Sequence, residues 1–179
     1  MLSNPVEDVP FNITRLSHVV LTSRDLDATR YFYEAGLGLE VTEHSATHLC
    51  LRAIEEVAHH SLRFAKVAHD RPGEVRAIGY RMFSDDDLRR AFDWFSARGE
   101  SPEWVERPFQ GLTLRIIDAV GVPVEFTATM PGPENRMRHF HTHAGGKLVF
   151  LAHVQVATHD VQAAFDWYAS IGFRLTEYT

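Results

Sequence analysis

The sequence predicts an α+β fold built from tandem βαβββ modules, two complete and about half of a third. Three observations lead there. First, residues 15–43, RLSHVVLTSRDLDATRYFYEAGLGLEVTE, return at 150–177 as FLAHVQVATHDVQAAFDWYASIGFRLTE. His18 falls on His153, Asp25 on Asp160, Leu26 on Val161 and Tyr33 on Tyr168. After a one-residue gap, Gly38 falls on Gly172, Thr42 on Thr176 and Glu43 on Glu177. Second, a more diverged copy lies between these two, with Tyr80 at the place of His18, Asp87 at that of Asp25 and Phe95 at that of Tyr33. Its run Ala91-Phe92-Asp93-Trp94-Phe95 also meets Ala164-Phe165-Asp166-Trp167-Tyr168. Third, the offset that carries His18 to Tyr80 also carries Leu62-Arg63-Phe64 to Val124-Glu125-Phe126, so the first two units are complete.

Each unit opens on a β-like run: LSHVVLT at 16–22, IGYRMF at 78–83 and LAHVQVA at 151–157. A Ser, Thr or Asp then stands where a helix needs its N-cap, because its side chain can accept from a free backbone N–H of the first turn. In the third unit Val161, Ala164, Phe165 and Tyr168 recur at helical spacing and predict one apolar face. Ile171-Gly172-Phe173 closes that helix, with glycine where a left-handed C-cap is wanted. Further strand-like runs follow in the first two units, THLCLRAI at 47–54, HSLRFAKV at 60–67, GLTLRIID at 111–118 and PVEFTA at 123–128. Asp118-Ala119-Val120-Gly121 predicts the turn between the last two. Strand, helix and three antiparallel strands is the simplest unit, and two of them paired fill residues 13–130. Residues 131–147, PGPENRMRHFHTHAGGK, carry Pro, Gly and polar residues without periodicity and read as a linker.

Composition narrows the classes. A hydrophobic content of 45% and a charged content of 23% are those of an ordinary globular protein. The net charge of −6 argues against nucleic acid and anionic membrane as partners. Cys50 is the only cysteine, which excludes an internal disulfide and suits a reducing compartment. The opening MLSNPVEDVPFNI has neither the basic region nor the apolar run of a secretory signal. No stretch approaches the roughly 20 apolar residues of a membrane span. A cytoplasmic protein without membrane or nucleic-acid partners is expected.

An opening His, an Asp seven residues on, an aromatic fifteen residues on and a closing Gly-Phe or Gly-Leu resemble the vicinal oxygen chelate (glyoxalase/bleomycin resistance/dioxygenase) superfamily. The strand around Val124-Glu125-Phe126 fits the same pattern. Two paired units, a linker and a third unit from Leu148 resemble in particular the type I extradiol dioxygenases of the catechol and homoprotocatechuate 2,3-dioxygenase kind. The resemblance implies a structural domain without metal over 13–130, a linker over 131–147 and the start of a catalytic domain, truncated, over 148–179. It implies non-haem Fe(II), with Mn(II) suited to the same two His and one Glu, and open positions for a catecholate and O₂. His153 matches the first metal-ligating His. The second His, the Glu and the catalytic acid–base residue belong to a fourth unit, expected beyond Thr179. Gln155 stands where the homoprotocatechuate enzymes carry a substrate-side Asn, which makes Gln155 the substrate-binding residue. The implied partners are a catecholic small molecule, O₂ and further copies of the chain in a homo-oligomer, with ring cleavage in aromatic catabolism as the function. These 179 residues alone are expected to be inactive, with 148–179 poorly held unless another chain packs on them. A non-catalytic binding or assembly module of the same fold is the alternative, and a glyoxalase-type metalloenzyme a third reading.

Glyoxalase-like proteins take ligands from the first and last strands of two units. Here those positions read His18, Arg63, Tyr80 and Glu125. An Arg cannot ligate and Tyr80 is a poor substitute for His, so His18 and Glu125 are expected to be vestiges, hydrogen-bonded or paired with Arg63. His139, His141 and His143 share a face on an extended chain, but a solvated linker is the simpler reading. His59-His60 suggests one ring toward solvent and one toward the sheet, without chemistry. Glu55-Glu56 reads as a solvated turn and Asp85-Asp86-Asp87 as a helix N-terminus. Trp94 and Trp167 read as packing residues, and Cys50 as a small buried hydrophobe.

Overall fold

A computed structural model describes residues 8–176. The N-terminal stretch up to Glu7 and the repeat match at Glu177 lie outside the described residues. Eight strands form one sheet: β1 (Ile13–Ser23), β2 (Glu40–His44), β3 (His48–Arg52), β4 (Leu62–Lys66), β5 (Val75–Met82), β6 (Glu103–Val105), β7 (Thr113–Ile117) and β8 (Pro123–Thr127). Their order is β2-β3-β4-β1-β5-β8-β7-β6. Each unit runs outward from its own first strand, which pairs in parallel with its last strand, β1 with β4 and β5 with β8. The two first strands then join antiparallel at the centre. This is the predicted pair of βαβββ units in an α+β fold.

The helices start where the caps predict. In α1 (Leu26–Tyr31) the Asp25 carboxylate accepts from the backbone N–H of Asp27 and Ala28. The chain continues as a π-helical turn over Phe32–Gly36. In α2 (Asp85–Ala97) the cap is Ser84, a turn before Asp87, and Leu88, Ala91 and Phe95 form its buried stripe. Asp85-Asp86-Asp87 form the helix N-terminus as expected, and Asp87 is buried there. It accepts from Asn12, Ser84 and Arg90. The turn after β7 is also as predicted: Asp118 Oδ1 accepts from Val120 and Val122, and Gly121 takes φ +87°.

The third unit departs from its prediction. Residues 151–157 form no strand, because none of the described residues offers them a ladder. Its helix α3 (Val161–Ser170) does form, capped by Asp160 and closed at Gly172 with φ +95°. The buried face is not the expected one: Val161 is exposed, while Trp167, Ser170 and Ile171 are buried. With no sheet of its own to cover, the helix turns Trp167 onto Phe95 of α2, ring centroids 6.2 Å apart, and Ile171 joins the same core. Trp167 Nε1 donates to Glu100 at 3.0 Å. The segment expected to be poorly held therefore packs on the second unit. Residues 131–147 are not a free tether either, since Arg52 donates to the carbonyl of Pro133 and Gly146 N–H to that of Gly36. A single 3₁₀ turn at Phe140–Thr142 breaks the extended face expected for His139, His141 and His143.

Candidate functional site

Two registers bring His18 and Glu125 together. In the β1–β5 ladder His18 stands opposite Gly79, and in the β5–β8 ladder Gly79 stands opposite Glu125. Side chains alternate between the faces of a sheet, so residues in register across neighbouring strands share one face. The three positions lie in a row, and the middle one has no side chain. A methyl group on Gly79 would overlap the His18 ring. The imidazole therefore leans over the glycine, and its Nε2 comes to 3.8 Å from Glu125 Oε2, both residues being buried.

The other two positions of the glyoxalase-like ligand pattern, Arg63 and Tyr80, do not join them. The ladders equate Val20, opposite Arg63, with Gly79, opposite Glu125. Tyr80 is one residue beyond Gly79 and so points to the opposite face, among Phe126, Tyr168 and Phe173. The sequence offset carrying His18 to Tyr80 holds in the helix and the last strand but fails in the first strand, as the one-turn-earlier cap of α2 also shows. Arg63 keeps its Nε buried without a partner. Glu125, expected to be hydrogen-bonded or paired with Arg63, is bonded instead by Arg107, whose Nη2 and Nε lie 2.6 and 2.8 Å from Glu125 Oε1. Burial pushes the Glu125 carboxyl up, but His18 and Arg107 outweigh it and hold the carboxyl below its ordinary value. A carboxylate already neutralised by guanidinium is a poor cation ligand, so these four positions do not fit a metal ion.

Beside His18, on the same side of the first unit, lie His59 and His60, expected with one ring toward solvent and one toward the sheet. Both are buried. The His60 ring meets His18 edge-on at 5.5 Å between centroids, and His59 stacks on Phe109 at 4.0 Å. Their adjacency in sequence hid them, because alternation puts neighbours on opposite faces only inside a strand, and β4 starts at Leu62. Cys50 is fully buried in β3, as expected, and burial raises its thiol to about 11. Glu56, expected in a solvated turn, is buried and accepts from the N–H of Ala53 and of Leu151. His153 and Gln155 lie exposed on the unladdered segment, and neither is brought to the His18 cluster. One imidazole is too few for the two His and one Glu implied by the resemblance, so the described residues by themselves do not fit that iron centre.

Residues 15–126 match the family model of the glyoxalase/bleomycin resistance protein/dioxygenase superfamily, and the chain belongs to that superfamily. Its relatives are extradiol dioxygenases. It is 29% identical over 105 residues to the metapyrocatechase of Geobacillus stearothermophilus, which is 59% of this chain and 31% of that protein. It is 24% identical to the manganese-dependent 2,3-dihydroxybiphenyl 1,2-dioxygenase of Geobacillus genomosp. 3, over 93% of this chain and 56% of that one. Homoprotocatechuate 2,3-dioxygenase from Arthrobacter globiformis superposes with a TM-score of 0.85 at 28% identity, over 97% of this chain and 54% of its own. The Brevibacterium fuscum enzyme in complex with 3,4-dihydroxyphenylacetate gives a TM-score of 0.86 at 28% identity, over 97% and 55%. The chain thus spans about half of these relatives, or less. No helix among the described residues is long and apolar enough to cross a membrane.

Proposed function

We propose that this chain is the N-terminal portion of an Fe(II)- or Mn(II)-dependent extradiol dioxygenase that cleaves a catecholic ring beside its diol, using both atoms of O₂. The observation carrying this reading is the superposition of 97% of the chain on homoprotocatechuate 2,3-dioxygenase at 28% identity. In this reading 13–130 is a structural domain, 131–147 a connection and 148–179 the start of the catalytic domain. His153 supplies one metal ligand, Gln155 faces the substrate, and the remaining ligands and the acid–base residue come from outside these residues. The metal would bring the diol and O₂ to one centre. The test is ring cleavage by the protein as its own source makes it, reconstituted with Fe(II) or Mn(II) and given catechol or 3,4-dihydroxyphenylacetate. The yellow ring-opened product is expected, and it should vanish in His153→Ala. No product with either metal would overturn the reading. Product from the pure 179-residue chain would overturn the placement of the missing ligands outside it.

The neutralised Glu125 and the turn of Tyr80 to the opposite face of the sheet favour a second reading for 13–130 taken alone, a binding or assembly module that holds no metal at the four family positions.

A further inference from the structure

Cys50, His59 and His60 bring one potential ligand atom each to within 4.8 Å of one another, and all three residues are buried. His59 and His60 face each other through Nδ1 atoms 3.0 Å apart, a contact that can hold only one proton between two nitrogens. His60 Nε2 is left buried without any partner. Buried ring nitrogens are nearly always hydrogen-bonded or metal-bound, so a fully buried histidine with an idle nitrogen beside a buried thiol needs an explanation. Phe109 closes the outer side by stacking on His59.

We propose that Cys50, His59 and His60 form a buried site for a thiophilic divalent cation of the zinc class, distinct from the four family positions. The donor set decides the class. One thiolate and two imidazoles select Zn²⁺ or Co²⁺ over Mg²⁺, Ca²⁺ or Mn²⁺, which prefer oxygen. Tetrahedral zinc holds such atoms about 3.3–3.7 Å apart, so closing the site needs side-chain adjustments of about 1 Å. Burial keeps both imidazoles neutral, with their lone pairs available. Binding releases the Cys50 thiol proton to solvent, leaving a thiolate on the metal. Arg63, across from Cys50 in the β3–β4 ladder, opposes the incoming charge, and Glu43, across from Cys50 in the β2–β3 ladder, offsets it. Three protein ligands leave a fourth position for water.

The test is titration of the metal-free chain with Co²⁺, followed by displacement with Zn²⁺. The background carries His139→Ala, His141→Ala and His143→Ala to remove chance capture by those three imidazoles. One Co²⁺ per chain is expected, with the intense near-ultraviolet absorption of a thiolate–cobalt bond and the visible bands of a four-coordinate ion. Cys50→Ala should abolish the thiolate band, and His59→Gln should weaken binding by more than about tenfold. Zn²⁺ should also raise the melting temperature of the parent but not of either variant. His59 is the least buried of the three, so His59→Gln serves if Cys50→Ala does not fold. Binding without a thiolate band, or unchanged in a folded variant, would overturn the site. None of these ligands belongs to the dioxygenase reading, so its failure and theirs are separate results.

Discussion

His18 and Glu125 sit on strands that are not neighbours and meet across Gly79, Nε2 to Oε2 at 3.8 Å. The glycine is the condition for the meeting, and Gly79→Ala should expel the imidazole and strain the central ladder. A loss of about 1–3 kcal/mol is expected for such overpacking, read from urea unfolding. A neutral result would mean that the His18 ring has another place to go.

Arg107 is the cation that makes a buried Glu125 tolerable. Arg107→Ala leaves that carboxylate uncompensated, and a loss of about 2–4 kcal/mol at pH 7 is expected. The double variant with Glu125→Gln should recover most of it, because no buried charge is then left alone.

Asp87 is buried, and burial alone would raise its carboxyl. Bonds from Ser84, Arg90 and Asn12 outweigh burial and hold its pKa at about 2, below the ordinary 3.8. A depressed acid contributes stability above its unfolded pKa and loses it as pH falls through the folded one. Asp87→Asn should therefore cost about 1–2 kcal/mol at pH 7, and the difference should close between pH 4 and pH 2. Unfolding curves across that range check it.

His60 changes stability in the same direction, through burial that favours its neutral form rather than through bonds to a charged one. Burial first, then the neighbouring His18 and His59, lower its pKa from 6.5 to about 2. The unfolded chain takes up a proton below pH 6.5 that the folded chain refuses, so stability falls as the pH falls. The slope from this one group is about 1.4 kcal/mol per pH unit. In metal-free protein, His60→Gln should flatten the profile between pH 6 and pH 4, and an unchanged slope would mean that the ring is hydrated.

Trp167 and Ile171 hold the third unit's helix on the second unit. Trp167→Ala should remove about 3 kcal/mol of that docking. Hydrogen exchange is expected to rise over 161–173 while the sheet stays protected. Equal protection in the variant would show that the helix is held by something other than the tryptophan.

The repeat made the two βαβββ units and all three helices legible, because the cap residues and the β-like runs recur with it, but not the edge strands β2 and β6 nor the order in which the strands pair. It misled where a local slip changed a face. Tyr80 matches His18 along the sequence, but the opening strand of the second unit corresponds through Gly79, and a side chain displaced by an odd number of residues changes sides. The cluster of His59, His60 and Cys50 was hidden for another reason. It is assembled from the end of one strand and the approach to the next, and no periodic pattern marks such a place. The face of α3 followed from its partner, since an apolar spacing states that a helix has a buried side without saying which surface will cover it.

The buried carboxylate of Glu56 holds Leu151 by its N–H, and Glu55 N–H binds the carbonyl of Val149, so the third unit begins fastened to the first. It ends fastened to the second, through Trp167 and Glu100. The two half-sheets meet elsewhere chiefly along β1 and β5, with Phe109 of the second unit stacked on His59 of the first. The stretch from Val149 to Trp167 is therefore a strap across the seam of the sheet, anchored on both sides of it.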